Sequence, residues 1–229
     1  MLPEPYYQDN FVTIYHGDCR KILPLLEPVD LVLTDPPYGI GESSKKQITR
    51  GGRTDFGGKK RSTIISPTDF GENNWDRMPP PQWVFDLMRE LSKTQIIFGG
   101  NFFPLPPTSC LLVWDKDNSG DFADCEIAWT NKTTAIRKFK WRWNGMLQED
   151  MSKKELRQHP TQKPLPLMKW CIGQVPEAKI ILDPFMGSGT TLVAAKDLGL
   201  KAIGIEQEEK YCQIAVSRLR QESLLGIAC

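Results

Sequence analysis

Two stretches combine residue types that can do chemistry. The first is Asp35-Pro36-Pro37-Tyr38, a carboxylate, two prolines and a phenol in four consecutive positions. Each proline locks its φ near −65°, so the carboxylate, a proline carbonyl and the ring keep set relative positions. Two hydrogen-bond acceptors beside a π-face match an exocyclic amine on a planar base. The second stretch runs Asp183-Pro184-Phe185-Met186-Gly187-Ser188-Gly189-Thr190-Thr191. Its glycines allow close backbone approach, and free N–H groups at the following helix start favour an anionic or carboxylate group. Glu206 stands 19 residues beyond Gly187, the separation at which nucleotide sites place an acidic acceptor for ribose hydroxyls. A plain βα turn with a surface Glu after it, or a rigid capped turn with a half-buried Tyr, uses the same residues.

The spacing narrows the ligand. A dinucleotide turn wants a third glycine where Leu192 stands, and no G-x-x-x-x-G-K-[ST] string occurs. A nucleoside with a small zwitterionic tail fits better than a pyrophosphate or triphosphate. His16 and His159 stand alone without ligand spacing, and the cysteines at 19, 110, 125, 171, 212 and 229 form no C-x-x-C pair. The reading is therefore no metal, and reduced, mostly core thiols.

The elements that must hold these turns read as alternating strands and helices, the pattern of an α/β sheet covered on both faces. Strands are expected at Phe11–Tyr15, Val29–Thr34, Thr94–Phe98, Cys110–Trp114, Lys179–Leu182 and Lys201–Ile205, with weaker ones near Glu126–Thr130 and Thr134–Trp143. Helices are expected at Cys19–Leu26 (broken by Pro24), Pro81–Leu91, Leu165–Val175, Thr190–Leu198 and Gln207–Leu219, with Gly199 as a C-cap. Asp35 and Asp183 thus both follow strands, at the carboxyl ends where open α/β sheets bind ligands.

The 229 residues form one expected domain, with 40% hydrophobic and 25% charged residues, which excludes disordered, collagenous and coiled-coil classes. No apolar run approaches the roughly 20 residues that span a bilayer, and Met1–Pro5 lacks a secretion signal, so a cytoplasmic protein is expected. The net charge of +1 hides segregation. Residues 43–61 carry Lys45, Lys46, Arg50, Arg53, Lys59, Lys60 and Arg61 against Asp55; residues 132–157 carry eight cations against three acids. The local excesses are +6 and +5.

Taken together, these residues resemble the DNA amino-methyltransferases, which move a methyl group from S-adenosylmethionine to an exocyclic base nitrogen. Besides Asp35–Tyr38 and Asp183–Thr190, the resemblance rests on Gly17-Asp18-Cys19, Phe98-Gly99-Gly100-Asn101-Phe102, His159-Pro160-Thr161-Gln162-Lys163-Pro164 and Ile203-Gly204-Ile205-Glu206. It covers about residues 11 to 222 outside the basic stretches. The motif order is similar to the permuted β group. It implies a Rossmann-like methyltransferase fold, mostly parallel with an antiparallel edge, and S-adenosylmethionine bound by Asp18, Cys19, Asp35, His159, Thr161, Lys163, Asp183, Pro184, Phe185, Gly187, Ser188, Gly189, Thr190 and Glu206. It implies catalysis by Asp35, Pro36, Pro37 and Tyr38. Asp35 and the Pro36 carbonyl accept the amine N–H groups, and Tyr38 stacks on a base flipped from the duplex.

Adenine N6 is the expected target, because relatives acting on cytosine N4 more often carry Ser at position 35. Cytosine N4 is the alternative. A non-catalytic DNA- or cofactor-binding subunit and a nicotinamide dehydrogenase fit the residues less well. Ring-carbon methylation needs a Pro-Cys nucleophile that is not in the sequence.

Double-stranded DNA is the implied partner, and a homodimer or a cognate restriction endonuclease is the implied context. Lys and Arg contacts to phosphate supply most non-specific affinity, which gives both basic stretches a role. The glycine-rich 43–61 stretch is expected to be a mobile DNA-contacting loop. Lys138, Lys140 and Arg142 are expected to contact DNA from a short target-recognition segment at about 131–158. Phe139, Trp141 and Trp143 read either as stacking groups or, at period two, as one core face. Deleting 45–61 is expected to weaken DNA binding in a gel-shift titration and leave cofactor affinity unchanged; equal loss of both contradicts the loop's role.

Overall fold

The computed structural model describes residues 1–40, 78–117, 123–144, 147–152, 154–159 and 161–225. The 43–61 stretch, with Lys45, Lys46, Arg50, Arg53, Lys59, Lys60 and Arg61, lies outside the described residues, as do Lys153, Pro160 and Cys229.

In chain order the described elements are β1 (Tyr7–Gln8), β2 (Val12–His16), α1 (Cys19–Ile22), a 3₁₀ turn (Leu23–Leu25), β3 (Val29–Thr34), α2 (Gln82–Leu91), β4 (Ser92–Phe98), β5 (Leu111–Asp115), β6 (Cys125–Thr130), β7 (Arg137–Lys140), β8 (Trp143–Asn144), β9 (Leu147–Gln148), α3 (Leu165–Gly173), β10 (Ile180–Asp183), α4 (Thr190–Asp197), β11 (Lys201–Glu206) and α5 (Glu209–Leu225). Nine strands form one sheet in the order β1-β2-β11-β10-β3-β4-β6-β5-β7, and β8 pairs with β9 separately. From β2 to β4 every neighbouring pair is parallel; β6 reverses, β5 reverses again, and β1 is an antiparallel edge. This is the expected mostly parallel sheet with an antiparallel flank.

The parallel centre follows from composition. Strands buried on both faces must be apolar at successive positions, and β3 is: Leu31 and Leu33 face one core, Val29 and Val32 the other. The first core takes α3, α4 and α5 through residues such as Leu167, Met168, Leu192, Cys212 and Leu219. The second takes α1 and α2 through Ile22, Val84, Phe85 and Met88. At the opposite end of β3, Asp30 accepts the Lys179 and Ile180 N–H groups and the Lys93 ammonium, tying β3 to β10. The α4 helix ends as expected, with Gly199 at φ +70° and its N–H on the Lys196 carbonyl.

Three expectations change. The pattern at Thr134–Trp143 splits: β7 begins at Arg137 and pairs parallel with β5, and Trp143 leaves to pair with Gln148. A short β1, whose two residues carry no periodic signal, adds an edge strand. Among the described cysteines, 19, 110, 171 and 212 are buried free thiols, but Cys125 is exposed at the start of β6. The Phe139, Trp141 and Trp143 face belongs to the core. Phe139 stacks between Trp141 and Trp170 of α3 at 6.0 and 5.2 Å, and Trp143 is buried.

Candidate active site

Adjacency of β3 and β10 brings the two chemical turns together. Parallel register sets Val32 opposite Leu182, so both strands deliver an aspartate at their carboxyl ends. The Asp183 carboxylate is buried and fully used. One oxygen accepts the Thr34 hydroxyl at 2.7 Å and the Phe185 N–H at 3.1 Å; the other accepts the Thr191 hydroxyl at 2.6 Å. Burial pushes this carboxyl up to about 6, and the three donors limit the rise. Asp183 therefore binds β3, β10 and the first turn of α4 to one another.

The glycine turn needs its glycines at two points. Gly187 has φ +50°, and Gly189 has φ +77° with α5 so close that a Cβ would sit 2.7 Å from Ala215 Cβ. The Gly187 N–H donates to Glu206 Oε2 at 3.0 Å, and the Glu208 N–H donates to Glu206 Oε1 at 2.8 Å. Burial pushes the Glu206 carboxyl up to about 7 against the pull of these backbone donors. From behind, the Arg218 guanidinium on α5 donates to the Ser188 carbonyl at 2.8 Å and the Thr190 hydroxyl at 3.0 Å. Arg218 gave no sequence signal, because one Arg on an amphipathic helix looks like solvated surface.

An open cleft of about 150 Å³ lies between the turns, lined by Cys19, Asp35, Pro37, His159, Thr161, Lys163, Asp183, Pro184, Phe185, Gly187, Ser188, Thr190 and Glu206. Gly17, Gln162, Met186, Thr191 and Ile205 from the same sequence motifs complete the wall, with Met168, Gln207 and Tyr211, which no sequence motif included. His159 is buried beside Tyr211 at 4.3 Å, and its Nδ1 accepts the Thr161 N–H at 3.3 Å. Burial, with the nearby cations Lys163, Arg157 and Lys210, lowers its pKa to about 3, so the ring is neutral. Asp18 does not line the cleft. It caps α1 by accepting the Arg20 N–H and pairs with the Arg20 guanidinium. Burial pushes the Cys19 thiol up to about 12, which makes it an inert wall residue.

At the other turn, Asp35 Oδ1 accepts the Tyr38 hydroxyl at 2.6 Å, and Oδ2 lies 2.5 Å from the Lys163 ammonium. Burial raises the Asp35 carboxyl, Lys163 opposes the rise, and the negative charge of Glu126 adds to it. The Tyr38 ring rests on Gly99, whose φ of +69° admits no side chain there, because a Cβ would fall 2.3 Å from the ring. Its other face stacks on Phe102 at 4.7 Å and 14°. The strand-end motif at 98–102 thus serves as the seat of Tyr38.

The expected DNA cations on β7 and just beyond it are charge-paired. Lys138 meets Asp115 at 3.2 Å, Lys140 meets Asp117 at 2.9 Å, and Arg142 also meets Asp117. Exposed pairs of this kind contribute little to stability. Among the described residues no group of three or more His, Cys, Asp or Glu could hold a metal ion, and no helix is long and apolar enough to cross a membrane.

Comparison with known proteins adds an independent line. A model of the DNA methylase family matches residues 107–217. The chain is 28% identical over 265 aligned residues to the Type II methyltransferase M2.LlaDCHI of Lactococcus lactis subsp. cremoris, covering 99% of this chain and 96% of that one. A crystal structure of the M1.HpyAVI–SAM complex aligns with 91% of this chain and all of its own at 26% identity and a TM-score of 0.51. The PvuII cytosine-N4-specific DNA methyltransferase, 15% identical, shares the fold over 93% of this chain and 88% of its own with a TM-score of 0.59.

Asp183→Asn tests the junction. An amide turns one acceptor into a donor facing donors, and loss of a buried bond costs about 1–3 kcal/mol. Urea denaturation is expected to show that loss, whereas an unchanged midpoint means that Asp183 does not bind the turns together.

Proposed function

We propose that the chain is a member of the DNA methylase family, whose model matches residues 107–217, and that it transfers a methyl group from S-adenosylmethionine to the N6 amine of a flipped adenine in duplex DNA. The observation that carries the reading is the placement of Asp35 and the glycine turn on neighbouring strand ends, facing one cleft.

The residues present fit the cofactor. Glu206 offers carboxylate oxygens to ribose hydroxyls, Phe185, Met186 and Ile205 give apolar walls, and the backbone at the start of α4 suits a carboxylate. S-adenosylmethionine supplies an electrophilic methyl group on its sulfonium sulfur. The chain's own residues do the rest by orientation and by placed acceptors. Asp35 Oδ2 and the Pro36 carbonyl accept the two amine N–H groups. The nitrogen lone pair, otherwise delocalised into the ring, then turns toward the methyl. Tyr38 presents a stacking face once Phe102, which is 44% exposed, gives way to the base. Base–aromatic stacking, worth roughly 1–3 kcal/mol, offsets part of the few kcal/mol that flipping costs. Lys138, Lys140 and Arg142 exchange their aspartates for DNA phosphates. Adenine is favoured over cytosine by Asp35, since relatives acting on cytosine N4 more often have Ser there.

Asp35→Ala is expected to cut methyl transfer by at least about 10²–10³-fold with S-adenosylmethionine affinity retained in calorimetry; persistent activity refutes the mechanism. Digesting methylated product DNA to nucleosides is expected to yield N6-methyl-2′-deoxyadenosine, and N4-methyl-2′-deoxycytidine instead overturns the choice of base.

The Glu206 carboxyl near 7 sets a pH dependence. Only the ionised form leaves both oxygens as acceptors, so protons compete with ribose hydroxyls. Cofactor dissociation constants are expected to rise as pH falls below about 7. Glu206→Gln is expected to flatten that profile; an equally steep one assigns the titration to another group.

A further inference from the structure

The turn that accepts the amine is held by a chain of alternating charges. Lys163 is only 7% exposed, and its ammonium lies 2.5 Å from Asp35 and 3.1 Å from Glu126. Glu126, on β6, also pairs with Lys116 of β5. Lys163 further sits over Phe98 at 5.2 Å and near Tyr38 at 5.9 Å. Four segments far apart in sequence thus fix one cation between two carboxylates. An ammonium used only to hold a cofactor has no need of two partly buried carboxylate partners on the amine side of the cleft.

We infer that Lys163, anchored by Glu126, is the positioning residue of the methyl transfer: it aims the Asp35 carboxylate and keeps it charged for the incoming amine. The inference rests on the reading of Asp35 as amine acceptor. In the free protein both Asp35 oxygens are engaged, Oδ1 by the Tyr38 hydroxyl and Oδ2 by Lys163. An amine N–H needs one of them. Glu126 gives Lys163 a second acceptor within reach, so the ammonium can lean away from Oδ2 without losing all pairing. A neutral donor in place of Lys163 cannot hold Asp35 ionised in so buried a position.

The groups facing Asp35 act with definite signs. Tyr38 from its own turn donates a hydrogen bond that favours the carboxylate, and Lys163 from the 161–164 segment favours it strongly. Glu126 from β6 disfavours it. Asp183 from β10 carries a like charge that couples unfavourably with Asp35. Removing Lys163 must therefore move the acidic limb of activity upward in pH, and neutralising Glu126 must move it downward. Damage to the fold alone does not move the two limbs in opposite directions.

The experiment measures kcat against pH for the full chain, with tritiated S-adenosylmethionine and unmethylated genomic DNA. The variants are Lys163→Gln, Lys163→Arg, Glu126→Gln and Asp35→Ala. Lys163→Gln is expected to raise the acidic limb by roughly one unit or more. Glu126→Gln is expected to lower it, and Lys163→Arg to bring it back toward the parent. If Lys163→Gln does not fold by circular dichroism, the paired change Lys163→Met with Glu126→Gln removes both charges and is expected to raise the limb as well. Limbs that stay fixed, or that move together, overturn the positioning role while an inactive Asp35→Ala still supports the amine acceptor. An active Asp35→Ala overturns the reading of Asp35 itself.

Discussion

The Thr34 hydroxyl bound to Asp183 holds together residues 149 positions apart. That bond closes the junction of β3 and β10, and every proposed reacting group hangs from it. Asp35 follows Thr34 directly, and the glycine turn follows Asp183. If the strand ends slid apart by one residue, each side chain would switch faces of the sheet. The Asp183 carboxylate is buried where an unsatisfied charge would be costly, so its three donors are a condition of the fold as well as of the site.

Charge in the interior follows the same logic. Lys163 leaves water only because it lies between two carboxylates, and the partly buried Glu126 lies between two ammonium groups. Burial works against the Glu126 charge, yet Lys163 and Lys116 outweigh it and draw that carboxyl down to about 2. Breaking one partner of such a pair costs about 3–5 kcal/mol. Natural selection for packing alone has cheaper solutions in apolar side chains of similar volume, which points to a role for this chain of charges in aiming Asp35.

The molecule also keeps its surface charge in reserve. Lys138, Lys140 and Arg142 lie against Asp115 and Asp117, so the positive excess of this stretch is partly offset where it folds. This local pairing, rather than the net charge of +1, describes what a polyanion meets on β7.

Several features were determined by sequence alone. The apolar run of β3, the two prolines at 36 and 37, the positive-φ glycines and the acidic end of β11 are local requirements, because backbone conformation and strand burial are written in consecutive residues. Most of the cleft wall was legible for that reason. Tertiary structure alone decided the rest. Arg218 reaches the glycine turn from α5, Phe102 covers Tyr38, and Lys163 meets Glu126. Asp18 caps a helix instead of lining the cleft. Each of these depends on which distant segments pack side by side, and a contact between residues far apart in the chain leaves no periodicity or spacing in one sequence from which to read it.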